Sequence, residues 1–241
     1  MINKNLATTL VGGALLTASV NLYADGAIQS LTNVDINNAS FLKNNGIEIG
    51  GWAAAGINYA SHSGDHKTNS PISFNDRINE VMLNQLNVYI EKAVNTSGND
   101  WDIGGRVDFM YGTDADNTQA TGWDNKLANE MSNGYDVAFP QAYAEIYAPI
   151  GNGLTAKIGH FYTNIGYEVV TAPDNFFYSH AYTMLYAEPF THSGAMLTYQ
   201  VNDNISVSGG AVTGWDNFDE NGGDWSFLGG ASWTSDNEKT A

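Results

Sequence analysis

The chain contains no cysteine. An exported protein without cysteine has no disulfide framework, so its stability must come from elsewhere, closure of a barrel being one source. Proline is scarce, with 5 residues among 241. Positive charge is scarce relative to its opposite: 9 Lys and Arg stand against 26 Asp and Glu, a formal net charge of −17. Nucleic acid needs a basic footprint and is excluded as a partner. The acidic excess reads as solvated loops, and at a channel mouth it would weakly attract cations. Beyond the N-terminus no stretch approaches the ~18 apolar residues that mark a membrane helix. A mature chain in a membrane would therefore cross it as strands.

What the chain has in quantity is glycine (26) and tyrosine (13), with 43% hydrophobic residues at a mean hydropathy of only −0.26. That combination suits many strands and turns, and it suits a transmembrane barrel, where only alternate strand residues meet lipid. The N-terminus carries a secretory pattern: Lys4 within Met1 to Asn5, an apolar small-residue run from Leu6 to Val20, and a cleavage point at Ala24. Leu22 is larger than ideal at its position, which leaves the boundary defined to within a few residues. The expected organisation is a signal peptide over 1–24, an N-terminal periplasmic segment over 25–45, and a barrel domain over 46–241.

The mature chain reads as period-2 segments separated by turn residues. They are Ile47–Tyr59, Val81–Lys92, Trp101–Tyr111, Val137–Ala148, Leu154–Phe161, Ser193–Val201, Ile205–Trp215 and Trp225–Thr234. In the third, Asp102, Gly104, Arg106, Asp108 and Met110 share one face, while Ile103, Gly105, Val107, Phe109 and Tyr111 share the other. In the second, Leu86, Val88 and Ile90 alternate with Gln85, Asn87, Tyr89 and Glu91. No single segment separates a membrane strand from a sandwich strand. The connections do: long ones (62–80, 112–136, 162–192, 216–224) alternate with short ones (95–99, 149–153, 202–204). An up-and-down barrel with outer loops and short periplasmic turns requires that alternation, whereas a Greek-key sandwich mixes its loop lengths. The expected fold class is thus all-β, an antiparallel up-and-down transmembrane β-barrel with about eight strands. A short echo, Thr121-Gly122-Trp123-Asp124-Asn125 and Thr213-Gly214-Trp215-Asp216-Asn217, falls twice at or beyond the outer end of an ascending strand. Residues 235–241 read as a further turn rather than a closing strand, so the chain is expected to be the N-terminal part of a longer barrel.

Three stretches resemble a known family: Gly105-Arg106-Val107-Asp108-Phe109-Met110-Tyr111-Gly112-Thr113-Asp114; Gln141-Ala142-Tyr143-Ala144-Glu145-Ile146-Tyr147; and the run from Lys157-Ile158-Gly159-His160-Phe161 through Gly166-Tyr167-Glu168 to Asn175-Phe176-Phe177-Tyr178-Ser179-His180. They are similar to the putative beta-barrel porin-2 (OmpL-like) family of Gram-negative bacteria, over about Gly46 to Trp233. The resemblance implies an outer-membrane pore for small solutes, without cofactor or catalytic residues.

In such a barrel the polar strand faces line the lumen. The candidates are Glu48, Glu91, Asp102, Asp108 and Glu145 against Arg106 and Lys157, with Tyr143 on the same face. Opposite charges facing one another across a pore would set up a selecting field, and Arg106 pairing with Asp102 or Asp108 on its own strand is the alternative. The 162–192 connection is too aromatic for disorder and is long enough to be functional. It folds inward to narrow the channel or packs on itself as an outer cap. No Gly-x-Ser-x-Gly, His-Glu-x-x-His or phosphate-binding glycine loop is present. His62 and His66, with Asp65 between them, have a metal-compatible spacing in a polar loop, where chance suffices. Asp114 to Asn117 and Asp216 to Asp219 resemble calcium loops without the full ligand pattern. The expected function is passive diffusion of small hydrophilic solutes or ions across the bacterial outer membrane. Outer-membrane lipid is the surrounding partner, no cofactor is expected, and further copies of the chain are left open. The alternatives are an outer-membrane barrel enzyme or adhesin, or a secreted β-sandwich binding module.

Overall fold

A computed structural model describes residues 35–60, 68–127, 134–219 and 225–235, with the backbone of two strands before them. The strands are β1 (Thr9–Val11), β2 (Leu15–Tyr23), β3 (Ile47–Ala60), β4 (Val81–Lys92), β5 (Asp102–Gly112), β6 (Asp136–Ala138), β7 (Ala142–Ala148), β8 (Leu154–Tyr162), β9 (Thr191–Asn202), β10 (Ile205–Val212) and β11 (Ser226–Trp233). They form one sheet in the order β1-β2-β3-β4-β5-β7-β8-β9-β10-β11, with the short β6 also on β5. Every neighbour pair is antiparallel and follows chain order. That is the meander expected of an up-and-down barrel. The sheet is not closed, because β11 pairs with β10 alone. Part of the segment read as a leader, β2, is extended and pairs with β3 from Trp52 to Ala60.

The alternation of residue types decides the two faces. Ladder partners stand on the same face of neighbouring strands. One row runs Ile49, Ile90, Val107 and Ala142 across β3, β4, β5 and β7. Another runs Ala144, Ile158, Ala195, Ala211 and Phe227 across β7 to β11. Neither row carries a charge. Ile103 is 63% exposed on this face, and Ile90, Leu197 and Val207 are exposed too. So large a continuous exposed apolar face marks contact with another apolar medium. The opposite face carries the polar residues, among them Asn87, Asp108 and Gln141, all buried. β4 (12 residues) and β5 (11 residues) match the ~9–11 residues that a tilted strand needs to cross a bilayer.

Two expected segments differ from the sequence reading. Val137–Ala148 is split into β6 and β7 at Phe139-Pro140-Gln141, because proline has no N–H to give to the ladder. The expected strand to Trp215 stops at Val212, where Gly214 takes a φ of +107° and turns the chain. Three helices of 6 residues also appear: α1 (Ser40–Asn45) between β2 and β3, α2 (Thr113–Thr118) after β5, and α3 (Tyr182–Ala187) in the β8–β9 connection.

Candidate functional site

The site begins with a defect in a strand. The β3–β4 register passes from Ala54↔Gln85 to Ala55↔Leu83, which leaves Asn84 as an extra residue, a β-bulge. The bulge turns two consecutive side chains inward, so Asn84 and Gln85 are both buried on the polar face. Gln85 uses its whole amide. Its Oε1 accepts from Trp52 Nε1 (2.7 Å) and from the Ala172 backbone N–H (3.1 Å). Its Nε2 donates to Asp114 Oδ2 (2.8 Å) and to the Val170 carbonyl (2.7 Å). Val170 and Ala172 belong to the β8–β9 connection, so one side chain of the wall holds that loop by both backbone groups. Asn84 Oδ1 accepts from Tyr178 Oη (3.0 Å), a second tether to the same loop. The phenol end of Tyr178 packs against Gly56, where any Cβ would collide with it.

Asp114, on α2, completes the hub. Its carboxylate also accepts from Asn84 Nδ2 and Thr113 Oγ1. Burial pushes its pKa up to about 6, against the pull of those three donors. Apolar packing reinforces the tethers: Val170, Met184 and Leu185 of the loop join Phe74, Met110, Ala115 and Ala138 in one cluster. His180 sits against the Phe74 ring with centroids 5.1 Å apart, and burial depresses its pKa while Glu168 opposes the shift. The β8–β9 connection therefore lies on the polar face of the sheet. It is not an outer cap packed only on itself.

Below the hub the polar face is charged. One row reads Glu48, Glu91, Arg106, Tyr143 across β3, β4, β5 and β7. Arg106 is fully engaged. It grips Asp108 with two bonds (Nε–Oδ1 2.6 Å, Nη2–Oδ2 3.0 Å), reaches Glu91 Oε2 (2.9 Å), and lies 3.9 Å over the Tyr89 ring. Asp108 is enclosed, with Asn87 and Gln141 as further donors. In the adjacent row Glu145 stands opposite Lys157, whose Nζ lies 4.3 Å over the Tyr143 ring. Glu48 accepts from Tyr89 Oη (3.0 Å). Among the described residues neither Glu48 nor Glu145 forms an ion pair. Asp102 goes elsewhere: it takes Lys92 Nζ (2.9 Å) and the Asn95 N–H (2.8 Å) and staples the β4–β5 turn. Arg106 thus pairs with Asp108 on its own strand and with Glu91 on the neighbouring one, side by side on one wall.

The echoed pentapeptide has a shared task. Asp124 accepts the N–H of Phe139 (2.7 Å) ahead of β7, and Asp216 accepts the N–H groups of Phe190 (2.9 Å) and Thr191 (2.7 Å) at the start of β9. The two copies also bind each other, through Thr121 N to the Asp216 carbonyl (2.8 Å) and Phe218 N to the Thr121 carbonyl (2.8 Å). Burial raises the pKa of both carboxylates, and the backbone donors oppose it. Asp114 and Asp216, read earlier as calcium-loop residues, are thus occupied by protein donors. No cluster of three metal-ligating side chains occurs among the described residues; His62, Asp65 and His66 lie outside them. Trp123 lies on the apolar face, 5.6 Å from the His160 ring. His160 is buried there and bonded to Ser193 (2.8 Å), a polar pair that period-2 reading did not mark.

Neither the curated proteins nor the solved structures include a match to this chain. A family model does match, over residues 46–241, and its span takes in the whole sheet from β3 onward, the fastened loop and the charged wall. The chain belongs to the family described as "Putative beta-barrel porin-2, OmpL-like".

Proposed function

We propose that the chain forms an outer-membrane channel for passive diffusion of small hydrophilic solutes, narrowed by the β8–β9 connection. The observation that carries this reading is the pairing of two features on one sheet. An uncharged apolar face looks one way, and a charged face with a loop fastened across it looks the other. A transmembrane barrel needs the first toward lipid, and a selective pore needs the second toward water. Glu48, Glu91, Asp108, Tyr143, Glu145, Arg106 and Lys157 then line the lumen, with Asp102 at the periplasmic rim. Removal of residues 1–24 on export would uncover the β3 edge that β2 now occupies.

Arg106 offsets only one of the two carboxylates it holds, Asp108 and Glu91, so that group keeps one negative charge, and Glu48 and Glu145 add two carboxylates that form no ion pair among the described residues. The channel should mildly prefer cations. The test is single-channel conductance of the full-length protein in planar bilayers, with reversal potential under a KCl gradient. Expected are discrete openings and a cation-selective potential that moves toward zero in Glu48→Gln/Glu145→Gln. Absence of any conductance would refute the channel, and an anion-selective parent would remove these carboxylates as determinants.

A further inference from the structure

The fastened loop has a second face. Its buried side, Val170, Met184 and Leu185, rests on the wall. Its large exposed side chains are mostly aromatic: Tyr167 is 96% exposed and Phe176 82%, and Phe177, Tyr182 and Tyr186 are exposed with them. Tyr182 and Tyr186 stand one helical turn apart on α3 and are stacked, centroids 6.0 Å apart at 26°. Phe176 and Phe177 meet edge to face at 4.7 Å. Over residues 163–190 the sequence has Glu168, Asp174 and Glu188 but no Lys or Arg. The loop therefore carries carboxylates and no Lys or Arg, and one of them, Glu168, accepts the Ala181 N–H (2.7 Å) next to Tyr182.

Other tyrosines, two on the wall and one in a connection, show what such rings do in this molecule. Arg106 lies over Tyr89, Lys157 over Tyr143, and Arg77 over Tyr135 at 5.6 Å. Each is a cation held by a tyrosine quadrupole. On this basis we infer that the exposed rings of the β8–β9 connection, Tyr182 and Tyr186 first, form a binding station for small organic cations, solutes carrying an ammonium or guanidinium group on a compact apolar body. The inference rests on the channel reading above. A weakly hydrated organic cation gains from both the ring faces and the nearby carboxylates, whereas a neutral solute gains only from the rings and a small hydrated metal ion mainly from the charge. Charge complementarity selects this occupant.

The probe is choline, with 3,3-dimethyl-1-butanol as its neutral isostere, added to full-length protein conducting KCl in planar bilayers. Choline should reduce the potassium current saturably, and the isostere should not. Each variant is compared with its own choline-free current. Tyr182→Leu/Tyr186→Leu should weaken the choline effect on the order of tenfold, the expectation for losing two exposed cation–ring contacts. Tyr182→Phe/Tyr186→Phe should retain it. If potassium is conducted but choline acts no better than its isostere, or the leucine variant blocks as the parent does, the binding station is refuted and the channel stands. If no current flows at all, both readings fall.

Discussion

At the scale of single residues, Gln85 is the decisive one. All four of its hydrogen bonds are made in a buried site, so its loss leaves Trp52 Nε1, the Ala172 N–H and the Val170 carbonyl without their partner. Buried polar groups stranded in this way cost about 1–3 kcal/mol each. Gln85→Leu should therefore release the β8–β9 connection, and bilayer recordings should show larger and noisier unitary currents than the parent. Asp114 adds a pH dependence. Its folded pKa of about 6 lies above the ordinary 3.8, so the folded state takes up a proton first as pH falls. The resulting stabilisation is complete below about 4 and is lost as pH rises through about 6, with an upper bound of about 3 kcal/mol. Urea unfolding of the parent should show that gain on acidification, and Asp114→Asn should show less of it. None of this was legible from the sequence, which marks Gln85 only as a polar-face residue of an alternating strand. The bulge at Asn84 that aims both side chains inward leaves no trace in a period-2 pattern.

At the scale of elements, periodicity carried far. Val81–Lys92 is β4 with the expected ends, and Ile103, Val107 and Phe109 stand opposite Arg106 and Asp108 on β5 as their alternation requires. Where side chains meet lipid on one side and water on the other, the residue types record the register directly. The failures come where backbone chemistry overrides side-chain pattern, at Pro140 and at Gly214. The connections were legible as long or short but not in their docking, which depends on partners 85 to 94 positions away, as in Gln85–Val170 and Asn84–Tyr178. The echoed pentapeptide lies between these cases: its recurrence was visible, its task was not. Because Asp124 and Asp216 each satisfy strand-entry amides, and the two copies bond to one another, Asp124→Ala and Asp216→Ala should each cost about 1–3 kcal/mol. Their double variant should depart from additivity in denaturant titrations, since backbone hydrogen bonds between Thr121 and Asp216 couple the two copies.

At the scale of the whole molecule, the alternation of connections sets a topology. The β5–β7 connection and the β8–β9 connection share one end of the sheet, and the turns at 149–153 and 203–204 share the other. Lys126 is exposed on the former end. Proteinase K, which needs no basic residue at the bond it cuts, should cleave near Lys126 when added to intact cells and leave the 149–153 turn whole; the reverse pattern would invert the assigned orientation. The positions of the loop tethers carry one more consequence. The cross-sheet hydrogen bonds that fasten residues 170–178 end on Asn84 and Gln85 of β4, so their partners precede them in the chain. Nothing in that fastening waits for β10, β11 or any strand that completes the ring. On the channel reading proposed above, a chain threading its strands in order would thus hang this loop while still an open trough, and closure of the cylinder would come after.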